Sequence, residues 1–182
     1  MSKRTILSMM SLVVCIGLIT SSCAAPPNEA RSAAEQAIQD ARSGDAEKYA
    51  KDAFQATVDA FNEAEKAMTA KEFSEALSGY EKTIELAAKA GKETGVGREL
   101  AKVDANGKLD EFLASWKDIG EQIEKGRGRA AKALAGEAKA FGDSLSGALT
   151  GLKNGEQWYE LLMALEEANT SAESFRERAG GN

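Results

Sequence analysis

The sequence contains no histidine among its 182 residues. This absence excludes serine-histidine-aspartate and cysteine-histidine nucleophile systems, the usual imidazole general base and every histidine-containing zinc site. Proline is nearly absent as well, since the only two prolines are adjacent, Pro26 and Pro27. Residues 28–182 therefore contain no residue that lacks a backbone donor and disrupts a helix interior. Together these absences favour long helices and leave few routes to enzymatic catalysis.

Long apolar runs are also missing, because none reaches the roughly 20 residues that a membrane-spanning helix needs. The most apolar stretch, residues 6–19, follows Lys3 and Arg4 and precedes the small residues Thr20, Ser21 and Ser22. This order of a positive start, an apolar stretch and small residues is typical of an export signal. We therefore assign residues 1–22 to a signal peptide.

Cysteine is scarce, and its position is informative. Cys15 lies within the signal, so the processed chain would contain only Cys23. Residues 19–23 read Ile-Thr-Ser-Ser-Cys and resemble the bacterial lipobox, in which a cysteine after small residues is acylated and becomes the new first residue. The resemblance implies that Cys23 is lipidated, and two or more acyl chains hold a protein stably on a membrane. The alternative is an ordinary cysteine after a conventional secretory signal.

The residues after Cys23 bear on location. Ala24, and not aspartate, follows the cysteine, which resembles the pattern of lipoproteins sorted to the outer membrane. We expect the periplasmic face of the outer membrane, or the exterior of the cytoplasmic membrane if the organism has one membrane. Residues 23–28 would be the lipidated cysteine and a short tether, extended by its prolines. Residues 23–182 carry 21 basic and 29 acidic side chains, so we expect no nucleic-acid partner.

From Asn28 onward, apolar residues recur at intervals of three and four, which is the helical signature. The pattern predicts an all-α fold, either an antiparallel helical bundle or a short tetratricopeptide-like solenoid, with about six helices. We expect the first helix to end near Ser43 and Gly44, Asp45 to cap the second, and residues 69–71 to form the turn before the third. Three helices on short turns should stack antiparallel.

Residues 68–86 resemble the inter-helix turn and second helix of a tetratricopeptide repeat, and residues 41–50 occupy an equivalent turn. The order of lipobox, tether, alanine-rich helix, Gly-Asp-x-x-x-Tyr-Ala turn and paired helices is similar to a family of bacterial outer-membrane lipoproteins of unknown function. The resemblance implies that residues 29–92 form tetratricopeptide-like hairpins, and it brings no catalytic residue with it.

Residues 93–182 are expected to form further amphipathic helices with a glycine-rich middle. Gly91, Gly95 and Gly97 predict a break, after which Leu100 and Val103 lead into an apolar stripe. Later stripes predict a helix around residues 134–152 and a last helix that begins after Asn154 and Gly155. The pattern does not decide whether residues 120–155 form one helix or several.

Two groups of residues are candidates for binding. Lys125, Arg127, Arg129 and Lys132 form the only positive cluster after the signal, suited either to an anionic envelope polymer or lipid headgroups, or to a solvated helix end near Glu121 and Glu124. The large aromatics Trp116, Trp158 and Phe175 have helical spacing, which favours core packing over a partner groove. No catalytic, cofactor-binding or metal-binding residue is predicted, and no cofactor.

These observations predict a non-enzymatic cell-envelope lipoprotein that acts as a scaffold or adaptor and binds protein partners through helical surfaces. Its membrane contact would be made by acyl chains on Cys23. Two alternatives remain: a structural spacer between the outer membrane and peptidoglycan, and a carrier of a hydrophobic ligand between glycine-interrupted helices.

The lipidation prediction is tested by metabolic labelling with radioactive palmitate. The wild-type chain should incorporate label, and Cys23→Ser should lose it because the thiol is the acceptor of the diacylglycerol. Cys15→Ser is the matched control and should keep the label. Equal labelling of the wild type and Cys23→Ser would refute acylation at this position.

Overall fold

The computed structural model describes residues 25–180, which form six helices and contain no strand. The helices are α1 (Asn28–Ser43), α2 (Ala46–Tyr49), α3 (Lys51–Thr69), α4 (Phe73–Lys125), α5 (Arg129–Asn154) and α6 (Trp158–Gly180). The prediction of an all-α fold with about six helices is confirmed. Residues 1–22, predicted to be a signal peptide, and Cys23 lie outside the described residues.

The front bundle consists of α1, α3 and the first half of α4, joined by short turns and packed antiparallel. Its contacts are made largely by small side chains, because alanine lets helix backbones approach closely. Tyr80 and Phe54 fill the wider gaps. The buried apolar residues of this bundle and of the adjoining segment 46–50 are Ala34, Ile38, Ala41, Ala46, Ala50, Phe54, Ala64, Ala76, Tyr80, Ala87 and Ala90.

The rear bundle consists of the second half of α4 together with α5 and α6. Its core is richer in large residues than that of the front bundle. The fully or nearly buried members are Ala105, Leu109, Phe112, Ile119, Ile123, Leu134, Ala138, Leu149, Trp158, Leu161, Leu165, Ala168, Ala172 and Phe175. The apolar stripe predicted for the last helix is therefore the face that packs into this core.

The 53-residue helix α4 connects the two bundles without interruption. At a rise of about 1.5 Å per residue it is about 80 Å long. The predicted break at Gly91, Gly95 and Gly97 is wrong, and α4 also crosses residues 92 and 93, between the two regions assigned from the sequence. Each glycine costs about 1 kcal/mol relative to alanine. Tertiary packing on both halves of α4 outweighs that cost, and no proline interrupts it.

Among the glycines of α4, Gly97 lies closest to another part of the chain. A methyl group on its Cα would lie 1.9 Å from the carbonyl oxygen of Tyr49, at the end of α2. Only a glycine allows this backbone-to-backbone contact. By contrast, a methyl group on Gly95 would meet no atom within 4 Å, because Gly95 is exposed on another side of the helix.

The ends of the helices correct one prediction and resolve an open question. Asp45 does not cap a helix through its side chain; it adopts a left-handed backbone with φ 69°. A short break at residues 126–128 divides α4 from α5, with Gly128 at φ 95°. Residues 120–155 thus belong to two helices. Gly120 and Gly136 lie inside them without breaking either one.

The close contact of Gly97 generates a stability prediction. Gly97→Ala should lower the free energy of unfolding by about 1–3 kcal/mol, since the added methyl group overlaps the Tyr49 carbonyl. The matched control Gly95→Ala should raise it by up to about 1 kcal/mol through helix propensity alone. Urea unfolding followed by circular dichroism measures both. Equal stability of the two variants would contradict the close approach of α2 to α4.

Candidate functional site

Three large apolar side chains lie exposed on the side of α4 opposite its packed face. Val96, Leu100 and Val103 are 65%, 66% and 71% exposed. Their spacing of four and three places them on one stripe of the helix. The buried residues Thr94 and Ala105 lie on the other side of the same segment. We call Val96, Leu100 and Val103 the α4 ridge.

Carboxylates border the α4 ridge. Glu93, Glu99 and Asp104 are exposed and lie beside it on the helix surface. Each forms an ion pair with a lysine three or four residues away: Lys89 with Glu93 at 3.7 Å, Lys102 with Glu99 at 3.8 Å, and Lys108 with Asp104 at 2.9 Å. Such exposed pairs contribute little to stability. The three carboxylates remain exposed beside the ridge.

A polar junction links α2, the middle of α4 and the start of α6. Lys48 donates from Nζ to Glu160 Oε1 at 2.6 Å, and Arg98 donates to Asp45 Oδ2 at 3.0 Å. The hydrogen bond to Glu160 raises the pKa of Lys48, and the same bond lowers the pKa of Glu160. The cavity between these residues measures about 270 Å³. Since each of these charges is paired, the junction acts as a structural link.

Tyr49 completes the junction with its ring and hydroxyl. The ring lies edge-on to Tyr159 with centroids 6.5 Å apart, and the Arg98 guanidinium lies 5.2 Å from the ring centre. The backbone N–H of Tyr159 donates to the Tyr49 hydroxyl at 3.3 Å. Tyr49 belongs to the Gly-Asp-x-x-x-Tyr-Ala turn singled out in the sequence. In the fold this turn holds the two bundles together.

A second polar cluster lies near the start of α1. Arg31 donates from Nε to Glu65 Oε1 at 2.7 Å, and the hydroxyl of the buried Tyr80 donates to the same oxygen. The hydrogen bond from Arg31 lowers the pKa of Glu65, although partial burial opposes the shift. Burial, followed by the hydrogen bond to Glu65, raises the pKa of Tyr80 to about 12. The cluster fixes α1 to α3 and α4.

The predicted basic cluster is brought together at the turn between α4 and α5. Lys125 is the last residue of α4, Arg127 lies in the turn, Arg129 begins α5 and Lys132 lies in its first turn. All four are exposed. No ion pair forms between these four residues and Glu121 or Glu124, and both the solvated helix end and the anionic partner stay open.

The aromatic residues singled out in the sequence lie in the rear bundle. Trp158 and Phe175 are buried, and Trp116 packs against Phe141 and Phe175 with centroids 5.2 and 5.4 Å away. Core packing is therefore their role. The expectation that Leu100 and Val103 lead into the buried stripe is wrong, because both lie on the α4 ridge. Plotting the stripe by helical angle would have separated the two faces.

Other features of residues 25–180 are limited. These residues contain no group of three or more histidine, cysteine, aspartate or glutamate side chains placed to hold a metal ion. None of their helices is sufficiently long and apolar to span a bilayer. Comparison with protein-family models, curated proteins and solved structures finds no match.

The shifted pKa of Tyr80 can be measured directly. Ultraviolet titration of tyrosinate should show one tyrosine that ionises near pH 12, and Tyr80→Phe should remove that component while Tyr159→Phe keeps it. The folded pKa lies above the unfolded value of about 10, so the stability contributed by Tyr80 is complete below pH 10 and is lost as the pH rises through 12. Persistence of the component in Tyr80→Phe would disprove the assignment.

Proposed function

We propose that this protein is a non-enzymatic lipoprotein of the cell envelope that acts as a scaffold or adaptor. Acyl chains on Cys23 attach it to a membrane, and the α4 ridge binds an amphipathic helix of another envelope protein. The observation that carries the proposal is the exposure of Val96, Leu100 and Val103 on one helical stripe. Apolar residues that contribute nothing to either core are a typical mark of an interaction site.

The geometry of the ridge supports a helix as the partner. Intervals of four and three are those of the contact positions in paired helices, where an apolar stripe on one helix packs against a similar stripe on the other. The ridge covers only about two helical turns. Such a contact is small compared with the roughly 800 Å² per partner of a stable interface, which favours a reversible complex over a permanent dimer.

The border of the ridge indicates the charge of the partner. Glu93, Glu99 and Asp104 would face the flanks of a helix laid along the ridge. A partner helix with lysine or arginine beside its apolar stripe would pair with these carboxylates. A second copy of α4 would bring the same acidic residues together, so self-association is disfavoured.

A structural spacer between the outer membrane and peptidoglycan is the second candidate. The length of α4, about 80 Å at its 53 residues, favours it, because a helix packed along both halves behaves as a rigid rod. This function is compatible with the adaptor role, since the ridge lies near the middle of that rod.

Photo-crosslinking in cells tests the adaptor proposal. A photoreactive phenylalanine analogue at position 100 should give a discrete adduct with an envelope protein. The same analogue at position 82 is the matched control, because Lys82 lies five turns earlier on the same exposed face of α4 and outside the ridge. It should give at least about fivefold less adduct, since binding energy concentrates in a few apolar contacts.

A second variant separates specific from incidental capture. Val96→Glu combined with Val103→Glu should remove the adduct formed at position 100, while Met163→Glu, an exposed apolar residue on α6, should leave it unchanged. Equal adducts at positions 82 and 100, or an adduct that survives both ridge substitutions, would refute the ridge as the binding surface.

A further inference from the structure

The basic cluster contains the only two arginines of residues 25–180, Arg127 and Arg129, that form no ion pair, and it places them beside the unpaired Lys125 and Lys132. Within residues 25–180, no ion pair or side-chain hydrogen bond involves Lys125, Arg127, Arg129 or Lys132. Every other arginine of that range is paired with a carboxylate: Arg31, Arg42, Arg98, Arg176 and Arg178. The positive charge of this turn is therefore available to an external group. We call these four residues the basic tip.

The backbone of the turn adds to the positive potential. Gly126 and Gly128 flank Arg127, and a side chain added at Gly128 would meet no atom within 4 Å. The first turn of α5 contains no acidic residue, and no side chain caps the N-terminus of the helix. The partial positive charge of the helix N-terminus thus reinforces that of the side chains.

The basic tip lies at the opposite end of α4 from the start of α1. Ala30 packs beside Ala76 and Tyr80 near the beginning of α4, whereas Lys125 is the last residue of the helix. The 45 residues from Tyr80 to Lys125 correspond to about 70 Å along the helix axis. Given the proposed attachment at Cys23, two residues before the first described residue, the fold places the basic tip far from the attachment point.

We propose that the basic tip binds peptidoglycan through the free carboxylates of its peptide stems, on the side of the protein away from the anchoring membrane. This inference rests on the attachment proposed above and specifies the partner of the spacer function. A guanidinium matches a carboxylate with two parallel hydrogen bonds. Arg127 and Arg129, which are separated by Gly128, can each bind one of the carboxylates spaced along a polymer.

Two features of the tip favour a polymer over a lipid surface. Its exposed side chains include no large apolar or aromatic residue that would insert among lipids; the neighbours of the cations are Gly126, Gly128 and Ala130. Glu121 and Glu124 lie on the last turns of α4. They confine the positive charge to a narrow region, whereas attraction to a bilayer grows with the number of basic residues near its surface.

Sedimentation with purified peptidoglycan sacculi tests the proposal, using residues 23–182 with Cys23→Ser so that neither the apolar stretch of residues 6–19 nor acyl chains can contribute. This protein should sediment with sacculi at low salt, and the bound fraction should fall as salt rises. Replacing Lys125, Arg127, Arg129 and Lys132 by glutamine should weaken the apparent affinity by roughly tenfold or more.

The matched control removes the same charge from elsewhere. Lys51, Lys82, Lys92 and Lys153 are exposed and form no ion pair in the described residues, and their replacement by glutamine should leave sedimentation within about twofold of the parent protein. Circular dichroism confirms that both variants are folded. Equal loss in the two variants would show an effect of net charge alone and overturn the tip as the site.

A flotation assay with phosphatidylglycerol-containing vesicles distinguishes the two anionic partners. The proposal predicts sedimentation with sacculi and no flotation of the Cys23→Ser protein. Flotation without sedimentation would show that the basic tip binds a lipid surface and not peptidoglycan. If the protein neither sediments nor floats, the proposal is overturned. Palmitate labelling and crosslinking at the α4 ridge are independent measurements, so the attachment and the adaptor role can hold even if the tip does not bind.

Discussion

The contact between Gly97 and the backbone of Tyr49 is the constraint on which the architecture depends. It brings α2 against the middle of α4, where the front bundle ends and the rear bundle begins. Around this contact, the ion pair of Lys48 with Glu160 and the ring of Tyr49 against Tyr159 join α6 to α2. The ion pair of Arg98 with Asp45 joins α4 to the turn before α2. One small residue thereby allows both bundles to share a single helix.

Because both bundles share α4, the other features of the molecule are arranged along the axis of this helix. The start of α1 lies beside the beginning of α4, and the turn between α4 and α5 lies at its far end, while both bundles pack on the same side of the helix. The opposite side remains exposed and carries the α4 ridge at its middle. The start of α1, the α4 ridge and the cationic turn are consequently separated along one continuous helix. This separation is the arrangement on which the proposed scaffold role rests.

The sequence predicts the helical class, the turn after Ser43, the start of the last helix and the packing of Trp158 and Phe175, because periodicity reports which face of a helix is buried. It does not predict the continuity of α4. Gly91, Gly95 and Gly97 have the same local propensity, and only the tertiary contact of Gly97 shows that one of them is required by close packing. The grouping of the basic tip was visible in the sequence, but its lack of internal partners depends on the positions of Glu121 and Glu124 in three dimensions.

The continuity of α4 can be measured by pulsed electron spin resonance. Spin labels at Lys82→Cys and Asp118→Cys, in a chain whose Cys15 and Cys23 are replaced by serine, lie ten turns apart on the same exposed face of the helix. An unbroken α4 predicts a single narrow distribution centred at about 54 Å. A broad distribution, or one centred well below that distance, would show that the helix breaks at its glycines and would contradict the shared-helix architecture.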